Sequence, residues 1–479
     1  MKKNSEQWAH FVVQPEPNHV PLNVIVIGAG MAGLVAARLL QDSGCHVTVV
    51  EARNRLGGRI WTDQRWGVPC DLGASWVHGA DNNPLSNWCH TLGIELAITS
   101  DETRFVLANG QFQEEGQVQR RAWRSQLYAN RAIKRYSARL QRELAAGRTP
   151  TISLADALAP LLTSRRLRPI DRRVLAWRIS MAEGVQGAPA DQLDLREWFP
   201  KETAMVNALP RGGYGQLIED AAQGLTIHLN QPVECIQYDE FGVKVVTAQQ
   251  VYAGDVALVT VPLGIFKSGK FQFEPPLPPA KVQAMARIGY GGDGVLNKLL
   301  LRFPRVFWPE ARNRFLALLD EPTRRGLFTS WISLTPMVAE PILMSFADGY
   351  TGATYDRTAA DDEILKQAML TLQRMFGKPA PEPVDFIFTR WLSDAWALGS
   401  YSYPIVGNSS QDRLIYAEPV ADRLYFAGEA THLTHYGTVH AALESGEQAA
   451  IQIAQRYLHL PDNAFTPPWH HTPALVVNN

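Results

Sequence analysis

The feature that most constrains the fold lies between residues 24 and 62, which read VIVIGAGMAGLVAARLLQDSGCHVTVVEARNRLGGRIWT. Residues 24–27 form a short apolar run with the composition of a buried parallel strand. Gly28, Gly30 and Gly33 follow in the spacing GxGxxG, and a helical pattern follows the glycines. This order predicts a strand, a tight turn and a helix, which together open a βαβ unit.

The residue types in this unit are those that a dinucleotide requires. The first glycine permits the tight turn, the second lets a pyrophosphate approach the backbone, and the third lets helix and strand pack closely. The helix N-terminus offers free N–H groups and a positive dipole end. Glu51 ends the next apolar strand, at residues 46–50, where a carboxylate accepts hydrogen bonds from ribose hydroxyls. The sequence therefore predicts a dinucleotide with an unphosphorylated ribose, and the acid alone does not separate NAD from FAD.

Composition narrows the class of protein. A chain of 479 residues is long enough for two domains, and a formal net charge of −1 predicts no nucleic-acid partner. The four cysteines show no CxxC pair and no metal-type spacing, so we expect reduced thiols and no metal. No signal peptide and no apolar run of about 20 residues is evident. We therefore expect a cytoplasmic enzyme without a membrane partner, and the oligomeric state stays open.

Further motifs lie along the whole chain. They are RLGGR at residues 55–59, DLGASWVHG at 71–79, NKLLLRF at 297–303, GSYS at 399–402, LYFAGEA at 424–430 and GTVHAALESG at 437–446. Together they resemble the flavin-containing amine oxidases, and among these most closely the polyamine oxidases of plant type. The resemblance covers roughly residues 22–458.

The resemblance implies an α/β fold with two discontinuous domains. A Rossmann-like FAD-binding domain is expected from residues 22–95, 205–285 and 398–458. An α+β substrate-binding domain is expected from residues 96–204 and 286–397, with terminal extensions at 1–21 and 459–479. FAD is favoured over NAD because nucleotide-contacting motifs lie near both ends of the chain.

The resemblance also implies the residues that contact FAD. Arg59 can offer a fork to a phosphate, Val233 meets the adenine through its backbone, and Glu429 meets the ribityl chain. Ser400 stands where monoamine oxidases carry the cysteine that bonds to FAD, so we expect non-covalent FAD. The full predicted set is Gly28, Gly30, Gly33, Glu51, Arg53, Gly58, Arg59, Ala74, Ser75, Val233, Trp391, Glu429, Thr438 and Val439.

Three residues are the catalytic candidates. Lys298 lies between a glycine-rich segment and a strand, so we expect its side chain at the strand's end, and the resemblance implies that it holds a water beside flavin N5. His78 is expected beside the substrate, where it could help to keep the reacting nitrogen neutral. Tyr401 matches one of the two tyrosines that face the flavin in monoamine oxidases, and Thr438 replaces the second.

The expected reaction transfers hydride from the carbon beside a neutral amine to flavin N5, with imine hydrolysis and reoxidation by oxygen to hydrogen peroxide. Glu183 is the predicted carboxylate for a distal ammonium group of a polyamine, with Asp191 and Asp194 as alternatives. A monoamine or L-amino acid oxidase or dehydrogenase on the same fold stays open. An amino acid substrate would need an arginine for its carboxylate, and the sequence does not identify one.

One further segment is rich in arginine. Residues 114–143 have a helical pattern with seven arginines. We expect a solvated helix face there, because nothing else in the sequence points to an acidic partner.

Overall fold

A computed structural model of the chain describes residues 20–100, 102–107, 111–148, 151–198, 206–309, 315–320, 322–377, 379–461 and 464–470. The described residues divide into two compact units. The first holds those up to Ala97, Ala208–Ile288 and those from Ser409 onward, and the second holds Ile98–Asn207 and Gly289–Asn408. No described helix combines the length and apolar composition that crossing a bilayer requires.

The strands and helices are numbered in chain order. The strands are β1 (Asn23–Ile27), β2 (His46–Val50), β3 (Thr62–Asp63), β4 (Cys70–Asp71), β5 (Leu96–Thr99), β6 (Thr103–Val106), β7 (Phe112–Glu114), β8 (Asn207–Pro210), β9 (Thr226–His228), β10 (Val233–Asp239), β11 (Gly242–Thr247), β12 (Val251–Gly254), β13 (Val256–Val259), β14 (Gln272–Glu274), β15 (Gly289–Tyr290), β16 (Leu296–Arg302), β17 (Phe315–Leu318), β18 (Leu327–Ser333), β19 (Ile342–Asp348), β20 (Asp385–Phe388), β21 (Ser402–Tyr403) and β22 (Leu424–Phe426). The helices are α1 (Met31–Asp42), α2 (Pro84–Thr91), α3 (Glu115–Arg121), α4 (Trp123–Ala145), α5 (Leu154–Leu162), α6 (Pro169–Gln186), α7 (Gly215–Ala222), α8 (Leu263–Lys267), α9 (Pro279–Arg287), α10 (Thr335–Val338), α11 (Gly349–Thr358), α12 (Asp361–Phe376), α13 (Gln411–Ala417) and α14 (Val439–Ile453).

The first unit is built on a parallel sheet with the strand order β22-β13-β1-β2-β9. Strand β1 is buried over its last four residues, and all of β13 is buried, which is why both read as continuous apolar runs. Helices α1 and α14 cross closely, because Gly446 carries no side chain. A Cβ there would lie 2.3 Å from the carbonyl oxygen of Ala32. The expected Rossmann-like arrangement is therefore confirmed.

The second unit contains a seven-stranded mixed sheet with the order β20-β16-β19-β18-β17-β6-β7. One face of this sheet packs against α12, through residues such as Leu299, Leu301 and Leu343. Helix α12 begins with three acids and ends at Gly377 in a left-handed conformation, as the dipole and C-cap preferences require. Because side chains alternate along a strand, the residues between those leucines point to the opposite face.

The helical layer of the second unit differs from the expectation in one place. The arginine-rich pattern forms two helices, α3 and α4, which are separated at the buried Ala122. Two further helices, α5 and α6, follow it, and Pro169 begins the second. Proline is favoured in the first turn because it lacks the N–H that would be unpaired there.

Candidate active site

The glycine turn after β1 has the close contacts that the GxGxxG spacing predicts. Gly28 has a φ of +106°, a conformation that favours glycine. A Cβ on Gly33 would lie 2.0 Å from the carbonyl oxygen of Gly28, so α1 approaches the turn only because residue 33 is glycine. A Cβ on Gly30 would meet nothing nearer than the oxygen of Gly57 at 3.9 Å. Gly30 therefore faces open space, which is what a bound pyrophosphate needs.

Glu51 is held at the end of β2 by backbone donors. Its Oε2 accepts the N–H of Ala29 at 2.7 Å, and its Oε1 accepts the N–H of Arg53 at 2.8 Å. Burial raises the pKa of Glu51, and these two hydrogen bonds partly offset the effect. These contacts fix the carboxylate beside the glycine turn.

The two distant sequence motifs meet in an ion pair. Arg59 Nη1 lies 2.7 Å from Glu429 Oε1, and the two side chains retain 23% and 5% of their exposure. Glu429 Oε2 accepts the N–H of Gly437 at 2.7 Å, which connects the pair to the turn before α14. Arg59, which the sequence assigned to a phosphate, therefore also orients the carboxylate that the sequence assigned to the ribityl chain.

The N-terminus of α14 carries two further predicted residues. Thr438 caps the helix by accepting the N–H of Ala441 at 3.2 Å, and Val439 is the first helical residue. His440 follows, with its Nδ1 at 3.2 Å from the Asn83 side-chain nitrogen. Burial, with smaller effects from neighbouring charges including His78, lowers the pKa of His440 to about 4, so this histidine is neutral at pH 7.

The other predicted residues of the first unit lie on its loops and smaller sheet. Gly58 has a φ of +59°, and a Cβ there would lie 3.7 Å from the Cα of Gly30. Ala74 donates its N–H to the carbonyl of Arg59 at 3.2 Å, and the Ser75 hydroxyl lies 3.4 Å from the carbonyl of Asp71. Val233 begins β10, and the His78 side chain is exposed. The open glycine turn and the helix N-terminus supply donors, and the Glu51 carboxylate supplies an acceptor, so these groups fit FAD.

Lys298, Tyr401, Trp391 and Glu183 belong to the second unit. Lys298 is the third residue of β16 and pairs with Phe346 of β19, so its expected position at the end of a strand is wrong. The strand begins two residues earlier because its pairing with β19 extends to Asp348. Lys298 lies on the face opposite the leucine core and is 5% exposed.

A buried polar network that the sequence did not reveal holds this strand. Asn297 donates to Asp356 at 2.8 Å and accepts the N–H of Trp391 at 2.9 Å. The N–H of Lys298 donates to the hydroxyl of Thr389 at 2.8 Å. The network fixes Lys298 and Trp391 relative to each other. An asparagine directly before the lysine, in an otherwise apolar strand, is the signal that could have revealed it.

Tyr401 lies against the C-terminus of α6. Its hydroxyl donates to the carbonyl of Gly184 at 2.7 Å, and its ring approaches Gly187 so closely that a Cβ there would lie 2.9 Å away. Gly187 has a φ of +60° and ends the helix. The neighbouring Ser400 exchanges two hydrogen bonds of 2.9 Å with the backbone of Leu296. Tyr401 and the start of β16 are thus positioned together.

Glu183 is engaged by a cation of the same unit. Its Oε2 lies 3.0 Å from Nε of Arg325, and Oε1 accepts the N–H of Ala190 at 3.0 Å. Asp348 lies nearby, and burial followed by repulsion from Glu183 raises the pKa of its carboxyl group well above the usual value. The Arg325 side chain retains 32% of its exposure and that of Glu183 only 5%, so the more accessible group of this cluster is a guanidinium.

A histidine-rich group lies beside α14 in the first unit. The potential ligand atoms of His432, His435 and Glu444 all lie within 4.8 Å of one another. However, His432 Nδ1 accepts the N–H groups of Thr434 and His435, so its Nε2 carries the proton and donates to Glu444 at 2.9 Å. A metal at Nε2 would need the opposite tautomer. Burial raises the pKa of Glu444, but hydrogen bonds from the two histidines outweigh it and lower the value to about 2.

The parallel sheet, the glycine turn and the contacts of Glu51, Arg59 and Glu429 define a dinucleotide-binding flavoprotein with a second, mixed α+β unit. A family model described as flavin containing amine oxidoreductase matches residues 31–454. The chain therefore belongs to the flavin-containing amine oxidoreductases and is an FAD-dependent enzyme of the amine oxidase class. FAD is its cofactor, and Ser400 offers no thiol for a covalent bond.

Individual relatives agree with this class. The chain is 35% identical over 450 residues to polyamine oxidase 4 of Oryza sativa subsp. japonica, covering 91% of this chain and 90% of that protein. It is 32% identical over 448 residues to lysine-specific histone demethylase 2 of Homo sapiens, covering 90% of this chain. The chain spans about half the length of the histone demethylases it matches, 53% in that case.

The fold also matches solved structures. A double mutant of putrescine oxidase, made in a redesign of cofactor binding, superposes with a TM-score of 0.73 at 20% identity. The alignment covers 91% of this chain and all of that chain. This likeness establishes the fold.

Proposed function

We propose that the chain oxidises polyamines of the spermine and spermidine type at the carbon beside a neutral amine, with water hydrolysing the imine and oxygen being reduced to hydrogen peroxide. FAD supplies the two-electron acceptor when it is bound. The observation that carries the proposal is the position of Lys298, which is buried and braced by a polar network on the sheet face away from the core. Similarity to polyamine oxidases over nine tenths of both chains supports the substrate class.

Lys298, His78 and Tyr401 have different proposed roles, which follow from the chemistry of their side chains. The Lys298 ammonium can hold a water molecule by donating a hydrogen bond to its oxygen. The backbone of strand β16 fixes the position of Lys298 within the sheet. A neutral His78 can hydrogen-bond the reacting amine and favour its unprotonated form, which matters because a free alkylamine with a pKa near 10 is mostly protonated at pH 7. The ring of Tyr401, held by Gly184, supplies a flat wall that orients an alkyl chain. No step requires a metal. The cytoplasm is the proposed location of the protein.

The pairing of Glu183 supports a second candidate, the oxidation of an L-amino acid. A distal ammonium group needs an available carboxylate, but Glu183 already binds Arg325 and the N–H of Ala190. A substrate carboxylate could instead bind the accessible guanidinium of Arg325 in a bidentate manner. Polyamine oxidation therefore requires Glu183 to be available to the substrate, whereas amino acid oxidation requires Arg325 to be available.

The deciding experiment mixes the purified yellow protein anaerobically with spermine or with an L-amino acid and records the flavin absorbance. Polyamine oxidation predicts rapid bleaching with spermine, and products that locate the attacked bond. Bleaching by an amino acid alone would overturn the polyamine proposal. No bleaching with either class would overturn both candidates.

A substitution in the Arg325–Glu183 ion pair also distinguishes the polyamine substrate from the amino acid substrate. Arg325→Met releases Glu183, so it should lower the KM for spermine if Glu183 contacts the distal ammonium. It should instead raise the KM for an amino acid if Arg325 binds the carboxylate. Arg302→Met is the control, because the Arg302 side chain has a similar exposure, 30% against 32% for Arg325, and also pairs with a glutamate, Glu340, in the same unit. Equal effects of the two substitutions would show that Arg325 does not select the substrate.

A further inference from the structure

Helix α4 and the end of α3 carry a long run of cations with no acid between them. Between residues 117 and 142 there are eight Lys and Arg and no Asp or Glu. Residues 98–207 contain 18 Lys and Arg against 12 Asp and Glu, whereas the rest of the chain contains 28 against 35. The near-neutral total thus conceals a local basic surface on a chain that is otherwise acidic.

Four of these arginines form a straight line along the helix. Arg124, Arg131, Arg135 and Arg142 have the spacing i, i+7, i+11 and i+18, which returns to the same side of a helix with 3.6 residues per turn. The buried residues Ala129, Ile133 and Leu140 lie on the opposite side. At 1.5 Å per residue the line is about 27 Å long. We call these four residues the arginine stripe.

The described part of the chain gives the stripe no ion pair, although Glu143 attracts Arg142 electrostatically. Among the described residues no ion pair joins any of its four members to an acid, and the next acid in sequence, Glu143, pairs with Arg148 at 2.6 Å. Arg124 lies over the ring of Trp123 and Arg131 over the ring of Tyr128. Like charges four residues apart, as at Arg131 and Arg135, destabilise a helix by about 0.2–0.5 kcal/mol. The stripe therefore carries a local cost that no ion pair among the described residues offsets.

The geometry points to an acidic protein segment as its occupant: we propose that the arginine stripe docks a carboxylate-rich segment of a partner protein about eight residues long. An extended segment of that length spans about 27 Å, which matches the stripe. A membrane surface is disfavoured, because the apolar face of α4 is already buried in its own unit. A long polyanion such as nucleic acid is disfavoured, because the rest of the chain has the same sign of charge.

Trp123 marks one end of this surface. Its side chain keeps 52% of its exposure, and it immediately precedes the first arginine of the stripe. An exposed tryptophan beside arginines is the type of residue enriched at the centres of protein interfaces. It also provides a fluorescence reporter for the docking of a peptide at that end.

The test measures binding of a fluorescein-labelled octaglutamate peptide to the FAD-loaded protein by fluorescence anisotropy at low salt. Replacing all four stripe arginines by glutamine should weaken binding at least tenfold. The matched control replaces four exposed cations elsewhere and should weaken it less than threefold. The control set is Lys244→Gln, Lys270→Gln, Arg305→Gln and Lys366→Gln. Both proteins should retain the flavin spectrum and circular dichroism of the parent, because seven of the altered residues are exposed and Arg124 is only half-buried.

Peptide length and competing anions complete the test. Affinity should rise from tetraglutamate to octaglutamate by more than tenfold and then level off, because longer peptides extend past the stripe. Equal losses in the stripe and control variants would overturn the proposal, since they would show only a general charge effect. Tighter stripe-dependent binding of an octanucleotide, or of phosphatidylserine vesicles, would also overturn it and assign the surface to that ligand instead.

Discussion

Two alanine substitutions in the glycine turn should distinguish an effect on the stability of the apoprotein from an effect on FAD binding. In Gly33→Ala the new Cβ lies 2.0 Å from the Gly28 oxygen and 2.9 Å from Thr260 Oγ1, so α1 or the turn must move. Overpacking of this kind costs about 1–3 kcal/mol or more, and it acts with or without FAD. We expect the urea midpoint of the apoprotein to fall accordingly.

In Gly30→Ala the same methyl group has room in the apoprotein. Gly30 has a φ of −83°, which alanine adopts freely, and its nearest neighbour would be 3.9 Å away. The apoprotein should therefore be unchanged, or more stable by about 0.4–1 kcal/mol through the lower entropy of the unfolded chain. The methyl group would, however, occupy the space through which a pyrophosphate approaches the backbone.

The magnitude of the cofactor effect follows from linkage. A hundredfold loss of FAD affinity removes about 2.7 kcal/mol of the stabilisation that FAD adds at a fixed saturating concentration. We expect at least that loss for Gly30→Ala, measured by FAD titration and by urea unfolding with and without FAD. If Gly30→Ala binds FAD as the parent does, the pyrophosphate does not lie at this turn, and the assignment of the GxGxxG motif is wrong.

Three more predictions concern other parts of the site. Lys298→Met should lower kcat about a hundredfold while leaving the flavin content unchanged, and normal turnover would remove Lys298 from the chemistry. Glu429→Ala should lower the free energy of unfolding by roughly 2–4 kcal/mol, below the 3–5 kcal/mol of a fully buried pair because Arg59 keeps 23% exposure, and the purified protein should contain less FAD. His440 is neutral in the native state down to its pKa of about 4, whereas the unfolded chain binds the proton near 6.5, so stability should fall as pH drops from 6.5 to 4, by up to about 3 kcal/mol. His440→Gln should flatten that part of the profile of urea midpoint against pH, and an unaltered profile would show that protonation of His440 does not cause the loss of stability.

Local sequence was sufficient where one short segment decides the structure. Strand β2 has the predicted bounds, because an apolar run of that length fixes its own element. The separation of α3 from α4 could not be predicted in this way, since Ala122 is a good helix former. It is buried beside Val118 and Phe105, so packing rather than propensity ends the helix there.

The same distinction holds for the candidate site. The glycine turn could be located from sequence because backbone conformation limits which residues are tolerated there. Arg325 could not, because it meets Glu183 across 142 residues and belongs to no motif. Lys298 was located by resemblance, but its place within β16 depends on pairing with β19, a partner some 50 residues away.

The Arg59–Glu429 ion pair also has a consequence for the time at which the protein becomes active. Its partners are 370 residues apart, and Glu429 accepts the N–H of Gly437, just before the helix whose N-terminus completes the predicted cofactor site. At about 5–20 residues per second, a ribosome needs roughly 20–75 s to pass from one partner to the other. The first βαβ unit is therefore synthesised long before the carboxylate that its arginine binds. Tight capture of the flavin should be a late event in biogenesis, and the supply of free FAD matters most just after the chain leaves the ribosome.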